Sequence, residues 1–175
     1  PTANANAGGI TTPTAAICET GTYTLDATAG TGIILWTSSG DGTWDDDAIE
    51  DPIYTPGITD VSGINTVVTL TMTVSNGSCP PATDAIDLTI YDVPTADAGA
   101  LIADICETGT YTLSAATAGT GTILWTSSGD GTFDFPTSVN PIYTPGVNDI
   151  LVSNTVVALT MTVSNGSCPP ATDAI

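Results

Sequence analysis

Within the stretch Thr66 to Ser75, apolar and polar residues alternate without a break from Val68 onward. Val68, Leu70, Met72 and Val74 fall on one face, and Thr69, Thr71 and Thr73 fall on the other. A period of two predicts a half-buried antiparallel strand with a threonine-coated outer face. Asn76-Gly77 follows directly and signals a hairpin turn, because these residues tolerate positive φ. The return strand is predicted where Ile86, Leu88 and Ile90 recur at alternate positions. Upstream, Tyr23, Leu25 and Ala27 alternate with polar residues and predict an earlier strand after a turn at Glu19-Thr20-Gly21. Ile34 and Trp36 share one face of the next strand. Short strands are expected near Thr43-Trp44 and around Ile53-Tyr54-Thr55, the latter closed by Pro56-Gly57. No stretch shows a helical period. Six or seven short strands between Gly/Pro turns predict an all-β fold, a β-sandwich.

The same pattern then recurs. Leu35-Trp36-Thr37-Ser38-Ser39-Gly40-Asp41-Gly42-Thr43 returns letter for letter as Leu124 to Thr132, and Cys18 to Leu25 returns as Cys106 to Leu113. Pro52 to Gly57 returns as Pro141 to Gly146, and the run from Leu70 to Ile86 returns unchanged as Leu159 to Ile175. A fixed-period duplication of this kind predicts two tandem β-sandwich repeats, residues 1–93 and 94–175. Pro1 to Ile17 is a Pro/Ala/Thr/Gly-rich lead-in, and Val93-Pro94 is a short, proline-stiffened linker. Repeat one continues past Ile86 with Asp87-Leu88-Thr89-Ile90-Tyr91, whereas repeat two reaches only the equivalent Ile175. A sandwich without most of its last strand exposes an edge. The expectation is therefore a window onto a longer array, or a strand supplied by another chain.

Charge narrows the function. The 175 residues contain 19 Asp and Glu, with no Lys, Arg or His, for a formal charge of −19. Nothing can neutralise phosphates, which excludes nucleic acid as a partner and attraction to an anionic membrane. Triads built on His, Schiff-base lysines, arginine clamps and Lys–Asn isopeptide staples are all impossible. No apolar run approaches bilayer length, so no direct membrane insertion is expected. Four cysteines, two at equivalent positions in each repeat, suggest disulfides and an oxidising, extracellular or cell-surface location. The composition points to a protein that is not an enzyme.

Trp-Thr-Ser-Ser-Gly-Asp-Gly, then Asn140-Pro141-Ile142-Tyr143-Thr144-Pro145-Gly146, then an alternating Thr/Val strand, resembles PKD-type immunoglobulin-like repeats of bacterial surface proteins. The paired Cys-Glu-Thr-Gly and Asn-Gly-Ser-Cys flanks look like the version found in long, repetitive extracellular proteins of Bacteroidota. In this chain Ser39 and Ser128 replace the aromatic that usually precedes Gly-Asp-Gly in that family. The resemblance implies a spacer or stalk module: a structural segment of an extracellular fibre or adhesin. Its partners would be neighbouring repeats of the same array and other copies in a filament. The alternatives are a carbohydrate- or Ca²⁺-dependent binding module and a self-assembling filament subunit.

Two groups of residues carry candidate chemistry. Asp41, Asp45, Asp46, Asp47, Glu50 and Asp51 form the densest acidic cluster, and oxygen ligands at this density suit Ca²⁺, the one cofactor to be considered. The second repeat keeps only Asp130 and Asp134, which favours a solvated acidic loop instead. Trp44, read as exposed beside these acids, could stack on a sugar, although packing on the sheet explains it as well. Asn76-Gly77-Ser78 and Asn165-Gly166-Ser167 match an N-glycosylation acceptor, but a hairpin turn accounts for them equally. Habit pairs Cys18 with Cys79 and Cys106 with Cys168. In an immunoglobulin-like sandwich, however, Cys18 is expected in a turn before the Tyr23 strand and Cys79 beyond the far end of the Thr66–Ser75 strand. Ten residues at about 3.3 Å each hold those ends some 30 Å apart, and a disulfide needs Cα atoms within about 7 Å. The topology thus favours Cys18–Cys168, with Cys79 and Cys106 pairing to repeats before and after.

Overall fold

A computed structural model describes residues 4–8 and 15–175; residues 1–3 and 9–14 of the expected lead-in lie outside the described residues. The chain divides into two compact units. The first comprises Pro1–Asp92 with Gly166–Cys168, and the second Val93–Asn165 with Pro169–Ile175. Both are immunoglobulin-like β-sandwiches.

In chain order the first unit contains β1 (Ala5–Asn6), β2 (Ala15–Cys18), β3 (Tyr23–Thr24), β4 (Thr28–Ala29), β5 (Ile33–Ser38), β6 (Thr43–Trp44), β7 (Ile53–Thr55), β8 (Thr66–Ser75) and β9 (Ala82–Tyr91). Four strands make one sheet in the order β2-β9-β8-β5, three make another in the order β3-β7-β6, and β1 pairs with β4. β8 is the strand that the alternation predicts. Val68, Leu70, Met72 and Val74 are buried, while the threonines between them stay partly exposed. Against it runs β9, with Leu88 opposite Val68 and Ile86 opposite Leu70. Trp36, Tyr54 and Leu25 close the core from β5, from β7 and from the chain beyond β3. Each such side chain contributes about 1.5–3 kcal/mol by leaving water.

Two expectations change. The strand read through Tyr23, Leu25 and Ala27 is divided between two ladders, because β3 pairs with β7 and β4 with β1. Between them Leu25 donates its amide to the Pro52 carbonyl, at 3.0 Å, and Ala27 donates to the Asp51 carboxylate, at 2.8 Å. Both side chains remain buried, so the alternation marks the inward face although the ladder breaks. Cys18 is not in a turn. It ends β2, which lies parallel to β9 with Ala15 opposite Leu88 and Cys18 opposite Tyr91.

The second unit contains β10 (Ala96–Asp97), β11 (Tyr111–Thr112), β12 (Thr117–Ala118), β13 (Thr122–Ser127), β14 (Thr132–Phe133), β15 (Ile142–Thr144), the single turn α1 (Val147–Ile150), β16 (Leu159–Ser164) and β17 (Ala171–Ala174). Its sheets are β13-β16-β17, β11-β15-β14 and β10-β12. Trp125, Tyr143, Leu113, Met161 and Val163 repeat the core of the first unit. The difference lies at one end. β16 starts at Leu159, where its amide and carbonyl bond Ile175 at 2.9 and 3.1 Å, and residues 103–106, equivalent to β2, form no strand. Among the described residues no helix is long and apolar enough to cross a membrane.

Candidate functional site

The duplicated Gly-Asp-Gly stretch forms a carboxylate latch between two loops. The Asp41 amide donates to Asp60 Oδ1 at 3.1 Å. In return, Thr59 donates its amide to both Asp41 oxygens at 3.1 and 3.2 Å, and the Asp60 amide reaches Asp41 Oδ1 at 3.4 Å. Asp60 Oδ2 accepts the Tyr54 hydroxyl at 2.6 Å and the Gly57 amide at 2.9 Å. Asp60 is 2% exposed, so these donors supply the solvation that water would otherwise give its carboxyl group. The glycines are required by close approach. A Cβ on Gly40 would strike the Asp60 carboxylate, one on Gly42 the Tyr54 ring, and one on Gly57 the Asp41 carboxylate.

The second unit builds the same latch from Asp130, Tyr143 and Asp149. Asp149 accepts the Tyr143 hydroxyl at 2.6 Å and the amides of Gly146 and Asp130 at 2.9 and 3.1 Å. Asn148 adds a side-chain bond to Asp130 at 2.8 Å. Electrostatics follow from these partners. Hydrogen bonds from Thr59 hold Asp41 below the usual carboxylate range, and the Tyr143 hydroxyl does the same for Asp149. Burial, with the Asp60 bond second, pushes the Tyr54 phenol up to about 12; Tyr143 is raised for the same two reasons.

Most of the acidic cluster is occupied by backbone amides. Asp45 accepts the amides of Asp46 and Ile53 at 2.8 and 2.7 Å, and Asp46 accepts that of Ala48 at 3.0 Å. Asp51 accepts Ala27 at 2.8 Å and Glu50 accepts Ala29 at 3.1 Å. Asp47 contributes its carbonyl, which accepts the Trp36 amide at 2.9 Å, and the Trp36 indole N–H reaches the Ile49 carbonyl at 3.0 Å. Five of the six side chains therefore serve separate backbone donors, and the loop meets Trp36 through the main-chain carbonyls of Asp47 and Ile49. Among the described residues no group of three or more Asp, Glu, Cys or His side chains gathers so that it could hold a metal ion. Trp44 is half-buried rather than exposed. Its ring centroid lies 5.6 Å from that of Trp36 and 4.9 Å from that of Tyr54, and Phe133 packs likewise between Trp125 and Tyr143.

Cys18 and Cys168 are joined by a disulfide, Cα atoms 4.7 Å apart across 150 residues of sequence. Cys79 and Cys106 are exposed and lie outside this bridge. Asn165 of the second acceptor sequence is buried, and Gly77 and Gly166 take positive φ of 57° and 49°. Sequence reasoning did not single out Asp60 and Asp149. The available signal was the spacing Tyr54…Asp60, which returns as Tyr143…Asp149.

No protein-family profile and no curated protein sequence matches the chain. Solved structures do. A titin I-band fragment aligns over 93% of this chain and 61% of its own length, with a TM-score of 0.53 at 10% identity. Mouse cadherin-23 aligns over 99% of this chain and 64% of its own, at a TM-score of 0.42 and 17% identity. A fragment of intimin aligns over 99% of this chain and 97% of its own, at a TM-score of 0.41 and 13% identity. The chain thus spans less than two thirds of the titin and cadherin structures. The titin likeness bears on the fold alone: a tandem immunoglobulin-like architecture.

Proposed function

We propose that the chain is a structural segment of an extracellular bacterial fibre or adhesin stalk, built from tandem disulfide-stapled repeats like those of Bacteroidota surface proteins. The observation that supports this best is the Cys18–Cys168 bridge. It takes one cysteine from the Cys-Glu-Thr-Gly sequence of repeat one and the other from the Asn-Gly-Ser-Cys sequence of repeat two. Every repeat carries both sequences, so the same pairing rule, applied along an array, would tie each repeat covalently to the next. Cys106 then bonds into a following repeat and Cys79 into a preceding one. The chain's negative charge keeps neighbouring fibres apart and soluble. In this reading the acidic loop is held by its own hydrogen bonds and requires no Ca²⁺. Titration of the purified chain with Ca²⁺ and against a glycan panel tests it. A spacer gives no saturable isotherm, whereas saturable glycan or Ca²⁺ binding replaces it with the binding-module reading. Ordered polymers of the purified chain in electron micrographs would assign a filament subunit instead.

A further inference from the structure

We propose that each β-sandwich carries a pairing face for a second copy of this chain, on the outer side of the sheet that contains β8 or β16. In the first unit, Ile33, Leu35 and Thr37 of β5 stand opposite Ser75, Thr73 and Thr71 of β8. Thr83 and Ala85 of β9 extend the Thr73 and Thr71 rows onto a third strand. Ile33 is 76% and Leu35 48% exposed, so apolar surface lies among the hydroxyls. The second unit repeats the face. Thr122, Leu124 and Thr126 of β13 stand opposite Ser164, Thr162 and Thr160 of β16, and Leu124 is again exposed.

Charge selects this face. The outward positions of β5, β8 and β9 hold a single acid, Asp87, whose carboxylate accepts the Thr69 hydroxyl at 2.7 Å. Those of β13, β16 and β17 hold none. In the other sheet of the first unit, by contrast, the β6–β7 connection carries Asp45, Asp46, Asp47, Glu50 and Asp51, all exposed. Two copies meeting there would bring like charges together, with no Lys, Arg or His in either chain to offset them. Hydrogen bonding selects the partner. A carboxylate only accepts, whereas a threonine hydroxyl both donates and accepts, so a threonine face is complementary to itself. The same patch on both copies then makes an isologous contact, its two sheets stacked about 10 Å apart. Ten residues of β8 reach about 33 Å and four strands span about 19 Å. One such face therefore falls short of the roughly 800 Å² per partner of a standard interface. The pairing is weak and reversible, and it strengthens as salt screens the remaining acids. The inference rests on the composition of these faces and not on the stalk reading, which ligand titration tests separately.

Sedimentation equilibrium of the full chain over a concentration series tests the pairing. Raising the salt from about 0.01 to about 1 M shortens the screening length from about 30 Å to about 3 Å, and self-association is expected to tighten about tenfold or more. A chain carrying Leu35→Asp and Leu124→Asp has one added acid on each face, and its association should weaken at least about tenfold while its tryptophan fluorescence stays native. Thr71→Asp with Thr160→Asp, on the neighbouring strands, is expected to act alike. As a control, Thr24→Asp with Thr112→Asp adds the same charge at exposed positions of the other sheets and should leave the association within about twofold. A parent chain that stays monomeric at every salt concentration overturns the proposal. So does association that survives both pairs of face substitutions, or that the control weakens as much as they do.

Discussion

Tyr54 and Asp60 are joined by a 2.6 Å hydrogen bond inside the first unit, and Tyr143 and Asp149 repeat it at the same distance in the second. Asp60 also receives the amides of Asp41 and Gly57. Replacing Asp60 by Ala leaves three donors without their acceptor, at about 1–3 kcal/mol for each that stays buried. The D60A chain is expected to lose about 3 kcal/mol or more from the urea transition of the first unit. The transition of the second unit should not move. A D60A chain that unfolds like the parent would show the latch to be ornamental.

The same pair predicts an alkaline transition. Tyr54 is raised to about 12 in the folded state, above the unfolded value near 10. The folded state therefore holds its phenolic proton more tightly, so this contribution is complete below pH 10 and is lost as pH rises through 12. Absorbance at the phenolate band should show Tyr54 ionising after the ordinary tyrosines, and Tyr54→Phe should remove its share of the late step while that of Tyr143, also raised, remains. At the acid end the direction reverses. Asp41 and Asp149 are lowered, so their contribution is present above the unfolded carboxylate value and fades as pH falls through their folded values.

How far the sequence discloses this structure depends on what each residue answers to. β8 was legible in full because its alternation is local: Val68 to Val74 face one way for reasons contained in the strand itself. β2 was not. Ala15-Ala16-Ile17-Cys18 has no period of two, and it becomes a strand only by lying beside Leu88 to Tyr91, far away in the chain. The latch was half legible. Gly-Asp-Gly stood out by repetition, but Asp60 is a lone acid in an ordinary turn until Tyr54 and Asp41 converge on it. The acids from Asp45 to Asp51 drew attention by density, whereas their work is to accept backbone amides that a sequence does not display.

Glycine substitutions separate steric from backbone effects. Gly77 has φ of +57° and open space around an added Cβ, so Gly77→Ala is expected to cost about 1–2 kcal/mol of backbone strain alone. Gly40→Ala drives a methyl into the Asp60 carboxylate, so it should cost more and also shift the Tyr54 titration. Paired thermal melts and phenolate titrations distinguish the two outcomes.

Bridge mapping gives a sharp result. Proteolysis without reductant is expected to release a peptide pair containing Cys18 and Cys168. A Cys18–Cys79 pair would refute this connectivity. Reduction should cost about 2–4 kcal/mol of stability, as closing a long loop commonly contributes.

With 19 acids and no cation, folding concentrates like charges. Raising the salt from 0.01 to 0.15 M shortens the screening length from about 30 Å to about 8 Å, so the melting temperature should climb over that range. A melting temperature indifferent to salt would mean that the acids are already solvated by the amides they bond.

The parallel pairing of β2 with β9 decides how the first unit meets force. Tension entering from the amino-terminal side first reaches the two-residue ladder between β1 and β4, which is short. It then arrives at β2, whose neighbour β9 leads out to Asp92 in the same direction. Pulling on such a pair slides one strand along the other. The four rungs from Ala15–Leu88 to Cys18–Tyr91 are loaded in shear together, whereas an antiparallel hairpin would peel one hydrogen bond at a time. While Cys18 is bonded to Cys168, tension leaving β2 crosses the bridge and bypasses these rungs; with the bridge reduced, rupture in shear must break all four at once, a single high barrier rather than a ramp.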